Sequence, residues 1–160
     1  MKRRWIACIA CLISILGLFS LQLYFQAESK EEVLDLSNES LNQIRLNTPI
    51  TEFEPSKLMI VNDDTISNYA HTFEYEQMLI SFDSSNQVVH LTSLHPEVET
   101  SKGISLGDSL EDVIDQYGEV TEQKEVETHI QKMIYRDHEV ELSFYVTNDV
   151  VEQIELHSTQ

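Results

Sequence analysis

The feature that most constrains the fold of this chain is an internal repeat over residues 44–157. Ile44–Ile50 lines up with Ile104–Leu110 at an offset of 60 residues. Three later matches recur at an offset of 62: Ser81-Phe82 with Ser143-Phe144, Asn-x-Val-Val at 86–89 and 148–151, and Leu94-His95 with Leu156-His157. A unit of about 50 residues buries too little surface to be stable alone. We therefore expect one domain whose two related halves, 44–95 and 104–157, share a core.

The second copy predicts a short helix followed by a three-stranded antiparallel meander. Apolar residues at helical spacing predict a helix over Ser109–Tyr117, with Asp108 as N-cap and Gly118 at its end. Apolar alternation and turn signals predict the strands, at 129–135, 140–146 and 150–156.

The first copy is expected to follow the same plan. It has a poor helix over Thr48–Phe53, which Pro55 ends early, and strands near 68–75, 78–82 and 87–94. The predicted fold class is thus α+β: an N-terminal transmembrane helix, then two repeats of a short helix and an antiparallel three-stranded meander.

The N-terminal segment predicts a membrane anchor. Residues 5–25 carry no charged side chain. A helix of this length would match the thickness of the hydrocarbon core of a bilayer. Basic residues 2–4 precede this segment, which predicts a single-pass protein with a cytoplasmic N-terminus and an extracellular C-terminal domain. A signal peptide cleaved after Ser20 or Ala27, giving a secreted protein, is the alternative. Residues 26–43 are interpreted as a polar stalk or short helix, and 44–160 as the extracytoplasmic domain.

Charge excludes one class of partner. All 28 acidic residues follow residue 25, against seven of the ten Lys and Arg, so this part of the chain has a formal charge of −21. Such an excess of negative charge argues against binding to nucleic acid, whose phosphates are also negative. It is compatible with simple solubility, with cations or with a basic partner.

One motif suggests a hydrolase but lacks the required context. Gly103-Ile104-Ser105-Leu106-Gly107 matches G-x-S-x-G, the nucleophile elbow of α/β-hydrolases. That motif needs a preceding parallel strand, a helix directly after it, and a large sheet that carries Asp and His. Residues 95–100 do not form such a strand, so we interpret Ile104 and Leu106 as inward residues of a short extended segment.

No metal, cofactor or catalytic residue is predicted. The six histidines show no recognised zinc-site spacing; they are His71, His90, His95, His129, His138 and His157. Asp63-Asp64 is a candidate for loose calcium binding but lies in no recognised calcium-loop motif. Cys8 and Cys11 form a C-x-x-C spacing inside the apolar segment, where thiols act mainly as small apolar groups.

The run from Gly103 to Val120, GISLGDSLEDVIDQYGEV, resembles the opening of small repeated modules in bacterial envelope proteins. It is most similar to the CAP-associated N-terminal domain of Bacillus-type secreted proteins. More loosely it is similar to the assembly lipoprotein BamE and to the β-lactamase inhibitor protein. The resemblance implies paired helix-plus-strand units and no catalytic residues. Glu119-Val120 departs from the proline usual there, and no CAP domain is expected after Gln160.

These observations lead to a non-enzymatic function. We expect a membrane-anchored extracytoplasmic module that binds another cell-envelope or secreted protein and contacts the membrane through residues 5–25. An inhibitor or regulator of a secreted hydrolase is the first alternative, and a small cell-envelope enzyme is the second.

Overall fold

The computed structural model describes residues 34–61 and 69–159. They form one eight-stranded sheet in which every neighbouring pair is antiparallel. The strands are β1 Met59–Ile60, β2 His71–Tyr75, β3 Met78–Phe82, β4 Val88–Ser93, β5 Glu122–Glu127, β6 Ile130–Asp137, β7 Val140–Thr147 and β8 Val150–Ser158. Their spatial order is β1-β2-β3-β4-β8-β7-β6-β5. The other elements are one α-helix, α1 Leu110–Tyr117, and two 3-10 turns, Ile50–Glu52 and Pro55–Lys57.

The two halves of the sheet meet where β4 pairs with β8. Strands β1–β4 form one meander and β5–β8 form the other, so the sequence repeat corresponds to two half-sheets. Ile80 and Leu142 occupy matching positions of the two copies, 62 residues apart. Their cross-strand partners, Leu91 and Leu156, pair with each other but are 65 residues apart. The Leu-His match at 94–95 and 156–157 therefore does not mark equivalent positions. Asn86 and Asn148 do share left-handed turn backbone, with φ of 59° and 50°.

One face of the sheet carries the hydrophobic core. Alternate residues of the central strands point to this face and are almost fully buried: Met78, Ile80, Phe82, Leu91, Tyr135, Leu142, Phe144, Ile154 and Leu156. Helix α1 and the first 3-10 turn contribute to the same core, α1 through Val113 and Tyr117 and the turn region through Phe53. Phe53 packs edge-to-face on Tyr75 and Phe82, with ring centroids 5.2 and 5.5 Å away. Helix α1 and the end of the first 3-10 turn therefore pack on this face.

Helix α1 confirms the helix predicted in the second copy, with a different cap. Ser109, not Asp108, is the N-cap: its hydroxyl accepts from the Asp112 N–H, and the Asp112 carboxylate accepts from the Ser109 N–H. Asp108 instead accepts from the backbone N–H of Ser105. Gly118 ends the helix with a φ of 77°, a conformation that a residue with a side chain rarely adopts.

The predicted α+β class is wrong, because the described chain is mostly β. The first copy has 3-10 turns in place of the helix predicted over Thr48–Phe53, since Pro49 and Pro55 lie too close together for an α-helix between them. Each meander also has a fourth strand, β1 or β5. Neither has the apolar alternation that identifies a strand in sequence, because β1 has two residues and β5 reads EQKEVE.

The predicted transmembrane helix and single-pass membrane location need a similar correction. Within residues 34–61 and 69–159, no helix is long and apolar enough to cross a membrane. Residues 5–25, with Cys8 and Cys11, lie outside the described part of the chain.

The described part of the predicted stalk packs with the domain. Residues 34–43 form turns rather than a helix, and the side chains of Leu36 and Leu41 are buried in the core. The Leu36 N–H donates to Asp137 over 3.0 Å, and the Tyr117 hydroxyl donates to the buried Glu39 carboxylate over 3.0 Å. These bonds hold the segment against β6 and α1.

Candidate functional site

The face of the sheet opposite the core carries a continuous row of polar side chains. Cross-strand partners point to the same face, and six of them follow one another from β2 to β6: Thr72, Ser81, His90, His157, Glu141 and Arg136. A second row and its flank contribute Thr92, Glu155, Ser143, Tyr145, Gln153 and Lys132. We call these twelve residues the polar face. Leu79 and Ile134 are apolar neighbours on the same side of the sheet.

Much of the polar face is buried although no α-helix of the described residues lies over it. Ser81, Thr92, Glu141 and Ser143 are each less than 9% exposed, as fully enclosed as core residues. Burying polar atoms costs free energy unless they form hydrogen bonds. Among the described residues, no buried side-chain nitrogen or oxygen lacks a hydrogen-bond partner. Neighbouring side chains therefore hold this surface in a defined arrangement.

Glu141 is the centre of one charged group. Its carboxylate accepts from Arg136 Nε over 2.7 Å and from the Ser143 hydroxyl over 3.0 Å, and Lys132 Nζ lies 3.4 Å away. Burial by itself raises the pKa of Glu141, but the bonds from Arg136 and Ser143 outweigh it and hold the pKa below its usual value. Glu141 is therefore a carboxylate at neutral pH.

Glu155 is the centre of a second group. It accepts from the Tyr145 hydroxyl and from Gln153 Nε2, both over 2.8 Å. Lys132 Nζ lies 3.5 Å from Glu155 and thus bridges the two carboxylates. Burial by itself lowers the pKa of Lys132, but the contacts with Tyr145, Glu155 and Glu141 raise it above its usual value. Burial and the bond to Glu155 also raise the pKa of Tyr145.

Two histidines meet at the junction of the half-sheets. His90 and His157 are cross-strand partners with ring centroids 5.7 Å apart. The ring of Tyr69, just before β2, packs on His90 with centroids 5.4 Å apart. His157 Nε2 lies 3.8 Å from Glu141. Burial is the largest cause that lowers the pKa of both imidazoles, so they are mainly neutral at pH 7.

The hydroxyl groups of the polar face are engaged with neighbouring side chains. The hydroxyl of Ser143 bonds to Glu141, and those of Thr72 and Ser81 bond to each other over 2.9 Å. A nucleophile must reach its substrate, but Ser81 and Ser143 are enclosed by their neighbours. The charged groups are paired within the surface. The face is thus a hydrogen-bonded pattern of polar groups and aromatic edges.

The G-x-S-x-G segment does not form a nucleophile elbow. The Ser105 N–H and hydroxyl both bond to Asp108 Oδ2, over 2.7 and 3.1 Å. The backbone of Ser105 forms an antiparallel bridge with Glu99. Because every pairing in the described sheet is antiparallel, the parallel strand that the motif requires is not there.

The remaining candidate ligands are scattered. His71 is exposed on β2, His95 accepts from the Glu97 N–H, and His129 and His138 lie in turns before β6 and β7. In the described ranges, no three His, Cys, Asp or Glu residues are placed to hold a metal ion. Asp63-Asp64 lies outside those ranges. A cavity of about 220 Å³ at the turns before β6 and β8 contains none of the polar-face residues.

The sequence contained only a partial signal for the polar face. Glu141, Ser143 and Tyr145 alternate with apolar residues along β7, which correctly places them on the face opposite the core. The contact between His90 and His157 was not predicted, because the repeat had suggested His95 as the equivalent of His157. The pairing of β4 with β8, which brings the two rings together, depends on contacts between distant parts of the chain.

Comparisons with protein-family models and with curated proteins gave no match. Among solved structures, the chain is similar to a DUF4309 family protein, YjgB, from Bacillus subtilis. The two share 12% identity with a TM-score of 0.38, over 66% of this chain and 67% of that one. A likeness this weak supports no conclusion about function.

Proposed function

We propose that this chain is a non-enzymatic binding module that recognises another protein through the polar face. The observation that carries the proposal is a sheet face with no α-helix over it in the described residues, whose buried polar atoms are all hydrogen-bonded. Such a surface can bind without first rearranging, which lowers the entropy lost on association.

Charge supports a protein partner rather than a nucleic acid. The polar face contains two carboxylates, Glu141 and Glu155, and two cations, Lys132 and Arg136, so it is close to neutral at pH 7. The whole chain has a formal charge of −18. A balanced polar patch on an acidic protein favours a complementary protein surface over a polyanion.

The nature of the partner is part of the proposal. A cell-envelope or secreted protein remains our expectation from the sequence. A more specific version of this expectation is that the partner is a secreted hydrolase and that this chain inhibits it. Loss of a purified hydrolase's activity on addition of this chain would support that version. A small enzyme is disfavoured because the hydroxyls of Ser105 and Ser143 are bonded to carboxylates and Ser81 is enclosed by its neighbours.

Site-specific photo-crosslinking in the full-length chain tests the proposal. A photoreactive amino acid replaces either Lys124 or Gln123, adjacent residues of β5. Lys124 pairs with Lys132 and lies at the rim of the polar face, whereas Gln123 pairs with the core residue Met133 and points to the other side. Both positions are exposed, so neither substitution removes a buried contact.

We expect position 124 to capture a defined protein reproducibly and position 123 to capture much less of it. A half-exposed polar-face residue, Gln153, provides a second test position. Equal capture at positions 123 and 124, or no reproducible protein at positions 124 and 153, would contradict the proposal.

A further inference from the structure

The two half-sheets are joined by a short seam. Strand β4 pairs with β8 through three registered residue pairs: His90 with His157, Leu91 with Leu156, and Thr92 with Glu155. Within the second half-sheet, β7 pairs with β8 through eight. One of the three pairs in the seam is therefore a histidine pair. If these histidines become charged and repel each other, only two other residue pairs still hold the seam together.

The groups that face this pair come from several elements. They are Tyr69 before β2, Glu155 on β8, Glu141 on β7, and Lys132 and Arg136 on β6. Glu141 is the carboxylate next to His157, but it already accepts bonds from Arg136 and Ser143. Lys132 adds positive charge between Glu141 and Glu155. The nearby carboxylates are thus already paired with other cations, so they stabilise a second proton on the histidine pair only weakly.

We propose that the His90–His157 contact is a proton-sensitive latch, which holds the seam closed when both rings are neutral and loosens it when they are protonated. Two imidazolium rings with centroids 5.7 Å apart would repel each other in a half-buried site, where water screens charge poorly. This latch is a property of the unliganded protein, so it can be tested independently of the proposed function.

The direction of the pH effect follows from linkage. Burial lowers the pKa of both histidines in the folded protein below the value of 6.5 expected after unfolding. The unfolded chain therefore binds more protons as the pH falls below 6.5, and stability falls with it. The effect ends once the folded pKa values are passed. Acidic groups that titrate near pH 4 act in a lower range.

Unfolding by urea between about pH 7.5 and about pH 5 tests the latch in the full-length chain. We compare the wild type with the double variant His90→Gln/His157→Gln and with His71→Gln, which changes an exposed histidine of β2. For each pKa unit by which a histidine is lowered, the unfolding equilibrium constant should rise about tenfold on acidification. The wild type and His71→Gln should show this rise, and the double variant should show much less.

Hydrogen exchange locates the effect and covers the case in which the double variant fails to fold. After correction for intrinsic exchange rates, wild-type amides of β4 and β8 at the seam should become less protected on acidification than those between β6 and β7. Ring-proton NMR titration of the wild type should give both histidines a pKa below 6.5. An unchanged unfolding constant, ordinary or raised pKa values, or equal loss of protection throughout the sheet would overturn the proposal.

Discussion

Both faces of this sheet have a buried centre, but the burial is produced by different chemistry. On the core face, Ile80 and Phe144 are fully buried against the segments that cover them. On the polar face, Ser143 and Glu141 are as deeply buried but are enclosed mainly by other polar side chains. The first kind of burial removes apolar surface from water and stabilises the fold. The second mainly exchanges bonds to water for bonds within the protein, with a small net gain.

We propose that this difference separates stability from recognition. A sheet can be stable with one covered face, and a solvent-facing side then commonly carries polar side chains in simple alternation. Here those side chains form a connected network around Lys132, with every buried side-chain donor and acceptor in the described residues paired. A rigid polar surface adds specificity to binding. We infer that the core face holds the fold together and that the polar face is the surface available for recognition.

The largest expected effect is on the core face. Phe144→Ala removes a fully buried ring that packs on Tyr117 and Tyr135, with centroids 5.5 and 5.9 Å away. We expect a loss of about 3–5 kcal/mol in the free energy of unfolding, from lost apolar burial and the cavity left behind. Urea unfolding monitored by circular dichroism measures it. A loss similar to that of a surface substitution would show that this face is not the main source of stability.

A smaller loss is expected when the centre of the polar network is neutralised. Glu141→Gln keeps the shape of the side chain but weakens its bonds to Arg136 and Lys132. We expect a loss of about 1–3 kcal/mol at neutral pH, toward the lower end because Arg136 is 40% exposed and water can replace part of the contact. Urea unfolding again provides the measurement, with Glu125→Gln at an exposed position of β5 as the matched variant.

The same substitution should change the response to acid. Because the folded pKa of Glu141 lies below its ordinary value of 4.5, its stabilising effect is present above that value. The effect is lost as the pH falls through the folded pKa. The stability difference between the wild type and Glu141→Gln should therefore shrink below about pH 4.5. A difference that stays constant there would argue against the charged contact.

The smallest effect is expected for a single neutral hydrogen bond of the polar face. Ser81→Ala removes the partner of the Thr72 hydroxyl, 2.9 Å away. We expect a loss of about 1 kcal/mol, since one neutral bond contributes little net free energy. The double variant Thr72→Val/Ser81→Ala should recover part of it, because no hydroxyl is then left unpaired. A loss as large as that of Phe144→Ala would remove the distinction between the two faces.

The sequence predicted the strongly patterned elements and missed those that depend on long-range pairing. Strands β6–β8 and helix α1 lie close to their predicted positions, because their apolar residues recur at strand or helix spacing. Strand β5 was missed because its side chains are mostly charged and it is defined by pairing with β6. The helix predicted in the first copy was wrong because repeat similarity does not overcome two nearby prolines.

The candidate site depended still more on tertiary contacts. The alternation along β7 gave the correct face for Glu141, but it could not show that this carboxylate is nearly inaccessible. That follows from Lys132 and Arg136 on β6 and from His157 on β8. The registers that bring these three strands together are not encoded in the local pattern of any one of them.

The most direct test of the polar face as the binding surface is a methyl NMR spectrum of the full-length chain with and without the protein captured at position 124. Leu79 and Ile80 are neighbours on β3 that point to opposite faces, and Ile134 and Leu142 form a second such comparison. We predict that the methyl signals of Leu79 and Ile134 shift on binding while those of Ile80 and Leu142 change little. Larger shifts at Ile80 and Leu142, or none at any of the four, would contradict the assignment of recognition to the polar face.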